Sequence, residues 1–388
     1  MKKVFAIFTI SALALSANES FAQDTKIRFF GQPEIAASSI NGKNNYAGVD
    51  AFGHYIKKDT TYKQSNFNTG NFVLFVTSQL SERVSVLSEV SFTNASSISS
   101  FNVQRLMLRY YLKDYFSVRV GKMFTPIGYW NNQFALGLVL QPTIQRPLAV
   151  RTASDGGVLQ YHDTGIQFEG DNITNARIFY RLMLGNGVGY YGSNDKGDTH
   201  MGTTMQVGVE PIDGLKISGS AMLDRVQQGK PNPNGTIASL PDNGNFHLLV
   251  ASVAYMNPEK RSEFIAEYLG QTTKFDHIGT TMSYSAYVYG GYKVTKYITP
   301  YFLYNYTQAG KSTTQADPYF TPIPAQVSFL SLGVRYKFNS SFIWKMEYQM
   351  NNEKDFYQNI TMGNVQLDKG FTNLIKTNTL RMQFAFVF

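Results

Sequence analysis

Polar and apolar side chains take turns along most of this chain. In residues 379–388, Leu380, Met382, Phe384, Phe386 and Phe388 fall on one face, and Arg381, Gln383 and Ala385 on the other. A period of two over that length predicts a strand with one apolar face. The pattern recurs upstream. Leu330, Leu332, Val334, Tyr336 and Phe338 alternate with Ser331, Gly333, Arg335 and Lys337. Leu106, Leu108, Tyr110 and Leu112 alternate with Arg105, Met107, Arg109 and Tyr111. Ile178, Tyr180, Leu182 and Leu184 alternate with Arg177, Phe179, Arg181 and Met183. About sixteen such segments can be traced between residues 26 and 388.

The connections between them alternate in length. Short ones at 81–83, 113–115, 211–214, 257–261 and 339–341 carry the Asn, Asp, Gly and Pro that tight turns use. Long ones are expected at 41–69, 125–163, 226–245, 309–325 and 352–376. Pro33 and Pro300 interrupt the alternation and belong near strand ends or at a bulge, because proline removes a ladder donor. Arginine sits repeatedly opposite the apolar row. In a small soluble barrel that face would be core, and several buried arginines would each cost several kcal/mol unless paired. In a wide barrel the same face meets lumen water and the apolar row meets lipid. The expected fold is all-β: a transmembrane antiparallel up-and-down β-barrel of about 16 strands, with short periplasmic turns and long extracellular loops.

Composition agrees. Charged residues are only 16%, against about 25% in an ordinary soluble domain. Aromatics reach 14%, from 25 Tyr, 29 Phe and 2 Trp, as interfacial girdles require. Residues 1–22 read as a secretory signal peptide: Lys2 and Lys3, an apolar stretch from Val4, and the small-x-small site Ser20-Phe21-Ala22. Its removal leaves the chain one net charge below the full +8. The remaining 23–388 is expected to be one barrel domain located in the cell outer membrane. After the signal no apolar run is long enough for a membrane helix.

The chain has no Cys and five scattered His, which leaves no thiol chemistry and no metal spacing. Esterase-elbow, phosphate-loop and zinc-protease motifs are missing. No enzymatic activity and no cofactor are therefore expected. The basic residues are dispersed and the chain is exported, so nucleic acid is not an expected partner. The expected partners are outer-membrane lipid and small hydrophilic solutes or anions.

Residues 121–157 form the longest non-repetitive connection. Pro126, Pro142 and Pro147 stiffen it, and 134–140 is apolar enough to pack on an inner wall. It is a candidate constriction loop carrying Arg146 and Arg151; the alternative is an extracellular flap over the mouth. The alternation assigns Arg105, Arg109, Arg119, Arg177, Arg181, Arg335 and Arg381 to the pore lining, together with the acidic Glu34, Glu89, Glu169, Glu210, Glu263, Glu267 and Glu347. Walls of Arg favour anions, so a mild anion preference is expected. The alternative is that Arg and Glu pair across the lumen as a brace and leave little selectivity. Tyr287, Tyr289 and Tyr301 point inward and could stack sugars.

Residues 109–131, RYYLKDYFSVRVGKMFTPIGYWN, join a strand–turn–strand to a G-x-x-x-x-P-x-G segment. With residues 334–349, VRYKFNSSFIWKMEYQ, and the terminal Phe388, this resembles the phosphate-selective porin O/P-like family of Bacteroidota, Gram-negative outer-membrane porins. The resemblance covers about a fifth of the chain. It implies passive diffusion of small anions or other small solutes, often through a homotrimer. The family's N-terminal coiled-coil segment is not found, and its Arg ladder and Lys cluster have no position-by-position match. Two other readings stay open: a non-conducting barrel that anchors surface structures or lipoprotein partners through its loops, and a substrate-specific importer.

Overall fold

The computed structural model describes residues 24–49, 55–95, 98–113, 115–134, 141–151, 159–188, 200–228, 242–277, 279–308, 326–357, 361–362, 365–366 and 371–388. The segment read as a signal peptide lies outside them. Sixteen antiparallel strands close into one barrel. β1 runs as Asp24–Gly31 and Glu34–Val49, and β2 as Tyr55–Asn68 and Asn71–Gln79. Then follow β3 (Val84–Ala95), β4 (Ile98–Lys113), β5 (Phe116–Phe124), β6 (His162–Ile173), β7 (Ile178–Gly185) and β8 (Gly202–Ile212). The far half is β9 (Leu215–Val226), β10 (Gly244–Met256), β11 (Ser262–Phe275), β12 (Thr280–Tyr292), β13 (Ile298–Gln308), β14 (Gln326–Lys337), β15 (Phe342–Tyr357) and β16 (Phe371–Val387).

Every strand pairs with its sequence neighbours, and β16 returns to β1 through pairs from Phe30↔Val387 to Lys43↔Leu374. The last residue completes the seam: Phe29 and Phe388 exchange backbone hydrogen bonds of 2.8 and 3.0 Å. Closure leaves no unpaired edge, which a bilayer does not tolerate. Pro33 lies at the break in β1, where its carbonyl accepts from the Phe384 amide at 3.0 Å. Opposite, Gly70 takes the left-handed φ of +66° that the break in β2 needs. Pro300 is the third residue of β13.

Short turns join the strands at the end where β1 begins and β16 finishes, here the turn rim; the longer connections share the opposite, loop rim. Two of the expected long connections are corrected. Most of 41–69 and much of 352–376 is strand, since β1 and β2 reach Val49 and Tyr55, and β15 and β16 reach Tyr357 and Phe371. In sequence these strand ends are rich in Asn, Thr and Lys, so no period of two marks them; beyond an apolar belt a strand needs no greasy face.

Outward positions carry Leu, Val, Ile, Phe and Tyr around the barrel, many exposed. So large an apolar surface has no place in water and fits a bilayer. Toward the turn rim it is bounded by stacked rings, Tyr297 on Tyr336 and Phe338 on Phe342. The buried core lies inside the barrel, where inner residues of β9–β14 pack against a folded-in segment.

On the loop rim Asp242 accepts hydrogen bonds from the His277 amide at 2.6 Å and meets the His277 ring at 3.0 Å. Asp242 raises the His277 pKa above its usual 6.5, with Asp276 adding to it, and His277 holds Asp242 below its usual 3.8. Depressed Asp242 contributes above its unfolded pKa; raised His277 contributes fully only below its own, and that part fades as pH rises through the folded value. Amide protection factors around 242–243, taken relative to intrinsic exchange at each pH, should therefore be higher at pH 5.5 than at pH 8.5, and the difference should vanish in His277→Ala.

Candidate functional site

The two halves of the lumen differ in what their strands point inward. On β10 the inward residues are Phe246, Leu248, Val250, Ser252 and Ala254. Leu303 on β13 and Val327 and Phe329 on β14 continue that apolar wall. On β3–β7 the inward residues are instead mostly charged, polar or small, interrupted by Leu87, Met107, Tyr111, Met123, Phe179 and Met183. An apolar wall in a wet lumen needs a cover, and the β5–β6 connection supplies it.

Residues 125–134 and 141–151 lie inside the barrel against that wall. The connection includes helix α1 (Tyr129–Phe134) and a single 3-10 turn at Leu148–Val150. Ile127, Trp130, Ala149 and Val150 are almost fully buried. Each large apolar side chain placed this way contributes about 1.5–3 kcal/mol. Trp130 meets Tyr287 and Tyr289 edge-on at 5.7 and 6.3 Å. Asn131 ties the segment's start to its end, donating to the carbonyls of Thr125 at 2.9 Å and Tyr161 at 3.1 Å.

Charged groups of the wall fix the backbone of the segment. Glu267 accepts from the amides of Tyr129 and Trp130 at the start of α1, and from the hydroxyls of Ser252 and Tyr287. Glu347 accepts from the Ile144 amide at 3.0 Å. Lys345 donates to the carbonyls of Gln141 at 2.6 Å and Thr143 at 3.3 Å. Asn305 accepts from the Ala149 amide at 3.4 Å. These anchors turn buried polar groups, costly when unpaired, into positional constraints. In a Trp344→Phe protein, whose remaining tryptophan is Trp130, iodide should quench the emission only weakly. Strong quenching would mean that the segment is not seated.

The charged half stays open. A cavity of about 510 Å³ lies between β1–β7 and the tip of α1, lined by Arg105, Arg109, Arg119 and Arg181 on one side and by Asn132 and Gln133 on the other. Strand register assembles the arginines. Arg109 faces Arg119 directly across β4 and β5, and Glu169 faces Arg181 across β6 and β7. Like charges set opposite each other repel, and a carboxylate resolves it. Glu169 Oε1 lies 2.7 Å from Arg109 Nη2 and 2.8 Å from Arg119 Nη2, and Oε2 lies 4.0 Å from Arg181 Nε. Arg181 also reaches Asp171 at 3.2 Å. Arg105 pairs with Glu89 at 2.6 Å and stacks on Phe124, its guanidinium 4.4 Å from the ring centre.

The depth of these groups matters as much as their number. The Glu169 side chain is 1% exposed, whereas those of Arg109, Arg119 and Arg181 are 24%, 25% and 18% exposed. Cations therefore face the water and the shared carboxylate sits behind them. The described part of the folded-in segment, 125–134 and 141–151, contains no Asp or Glu, so amides rather than carboxylates face the arginines.

The other expected lining residues lie elsewhere. Arg177 precedes β7, in a turn on the rim, where it pairs with Asp213 and, at 3.9 Å, Glu210. Arg335 keeps its inward parity but is covered by the segment, donating to Glu263 at 2.8 Å and to the Pro142 carbonyl at 3.4 Å. Arg381 points inward and is held by Glu34 at 3.3 Å and Gln349 at 2.9 Å. Arg146 and Arg151 do not line the cavity. Arg151 braces the segment through the Arg146 carbonyl and Gln145, and Arg146 lies over the Tyr161 ring. Tyr287, Tyr289 and Tyr301 are not open platforms for sugars; they are buried and donate to Glu267, Glu263 and Glu347.

No family model matches the chain, and no curated protein matches it. Solved structures do. The anion-selective porin from Comamonas acidovorans is 11% identical, with a TM-score of 0.59 over 94% of this chain and 100% of that one. The outer membrane channel DcaP of Acinetobacter baumannii is 11% identical, with a TM-score of 0.59 over 96% and 99%. The outer-membrane expressed OmpT of Vibrio cholerae is 12% identical, with a TM-score of 0.57 over 95% and 100%. At such identities the likeness is one of architecture: this chain has the fold of Gram-negative outer-membrane porins and channels.

Proposed function

We propose that this chain is an outer-membrane porin through which small hydrophilic solutes diffuse passively, with a mild preference for anions. The turn rim then faces the periplasm and the loop rim the exterior, and residues 1–22 direct export and are removed. The observation that carries the reading is the arrangement around the open half of the lumen. Guanidinium groups front a water-filled cavity, their shared carboxylate is recessed, and the opposite side offers uncharged amides. Fixed charge at the wall of a narrow aqueous path biases solutes by sign, within about 10 Å at 0.1 M salt. The preference is mild because Glu89, Glu169 and Asp171 offset most of the four arginines.

In this reading the protein is a channel rather than an enzyme, needs no cofactor, and takes bilayer lipid and small solutes as its partners. A homotrimer is proposed as the assembly, as in the structure described as a trimer form of Vibrio cholerae OmpT. Membership of the phosphate-selective family stays a proposal resting on the sequence resemblance. Liposome swelling tests the function: vesicles carrying the protein should swell in small uncharged and anionic solutes, faster for an anion than for a cation of equal size. Vesicles that do not swell in any of them would overturn the reading and favour a non-conducting anchor.

A further inference from the structure

Three arginines that could each attract an anion share one buried carboxylate. Arg119 has no other carboxylate within 4 Å among the described residues. Among the described residues Arg109 likewise has no carboxylate but Glu169; its other side-chain neighbours are the neutral Ser117, at 3.2 Å from Nη2, and the Tyr111 ring, its centre 4.1 Å from the guanidinium carbon. Ser117 in turn donates to Glu169 at 3.1 Å, and Gln167 donates to its other oxygen at 2.8 Å. Glu169 is thus placed to discount the field of the wall without occupying the passage. Were it an exposed carboxylate it would offer a cation site; recessed, it only weakens an anion site.

We propose that Glu169 sets the strength of ion preference in this channel, keeping the passage one that anions cross rather than one that holds them. This rests on the porin reading above. Removing its charge without changing its shape would leave Arg109 and Arg119 uncompensated about the same cavity. A multivalent anion that passes the wild-type channel would then linger and block it. The opposite change is available too. Gln167 is buried beside Glu169, and a second carboxylate there would cancel more of the arginine charge.

The test is planar-bilayer recording of Glu169→Gln, Gln167→Glu and the wild type, under a KCl gradient and with pyrophosphate added to one side. Glu169→Gln should move the reversal potential further toward that of chloride, and half-block by pyrophosphate should need about tenfold less than in the wild type, the factor given by 1.4 kcal/mol. Gln167→Glu should move the reversal potential the other way and be blocked less. The double variant Glu169→Gln with Arg119→Gln restores the local charge and should return both readings toward the wild type. An exposed control, Asp171→Asn, should change them less. If Glu169→Gln does not assemble, Gln167→Glu alone decides. A reversal potential and block equal to those of the wild type in the assembled variants would overturn the proposal and leave the porin reading intact. A wild type that does not conduct would instead overturn the porin reading.

Discussion

Exchanging Arg109 and Arg119 for glutamate is expected to invert the proposed anion preference, so that the reversal potential under a KCl gradient changes sign. Both side chains face the cavity, and the double exchange replaces two cations by two anions around a carboxylate already present. Arg105 is a weaker choice, because its side chain is 10% exposed and bound to Glu89. The neutral pair Arg109→Gln with Arg119→Gln should fall between and lose most of the anion preference. Crowding carboxylates at Glu169 also destabilises, by several kcal/mol for a buried uncompensated charge. The thermal transition in detergent should drop for the glutamate pair more than for the glutamine pair. A reversal potential that kept its sign in an assembled glutamate pair would show that ions do not pass along this wall.

The second large effect is expected at Glu267. This carboxylate sits in the lumen with no cation within 4 Å among the described residues, held by two backbone amides of α1 and two hydroxyls. Glu267→Ala would strand those donors under the segment, at a cost of roughly 3 kcal/mol or more. The start of α1 would lose its attachment while the anchors at Glu347, Lys345 and Asn305 remain. Unit conductance should rise and become noisy as the α1 end moves, and iodide should quench Trp130 more strongly than in the parent. Glu267→Gln, which keeps acceptors for part of the network, should show a smaller change in both. A quiet, unchanged conductance in Glu267→Ala would mean that α1 does not limit the passage.

Much of the barrel was legible because its physics is periodic. One face of each strand must be apolar and the other wet, so parity alone placed Arg105, Arg109, Arg119 and Arg181 inside. Parity fails where a strand has ended. Arg177 has the right spacing, but Asn172, Thr174 and Arg177 adopt positive φ around the turn and take it onto the rim. It fails again where the strands outrun the apolar belt, which is why 41–69 looked like loop. Arg335 shows a third limit. Its inward direction was right, yet exposure depends on which part of the lumen is filled, and single-strand patterning does not reveal that.

A signal for the filled half was present. Residues 246–254 are apolar on both faces, unlike 105–112, and a strand with two apolar faces has to be covered on the inside. Choosing the β5–β6 connection as the cover requires strand register and the anchors at Glu267, Lys345 and Glu347, which lie more than a hundred residues away in sequence from the groups they hold. In the sequence Glu267 and Glu347 read simply as lumen charge; the role of all three as anchors appears only in three dimensions.

The central claim is that water and ions cross a lumen whose open side is cationic. Purified protein in a planar bilayer separating KCl solutions of unequal concentration tests it most directly. Stepwise openings with a reversal potential on the chloride side of zero are predicted. A bilayer that stays silent although the protein is inserted, or a reversal potential on the potassium side, would contradict it.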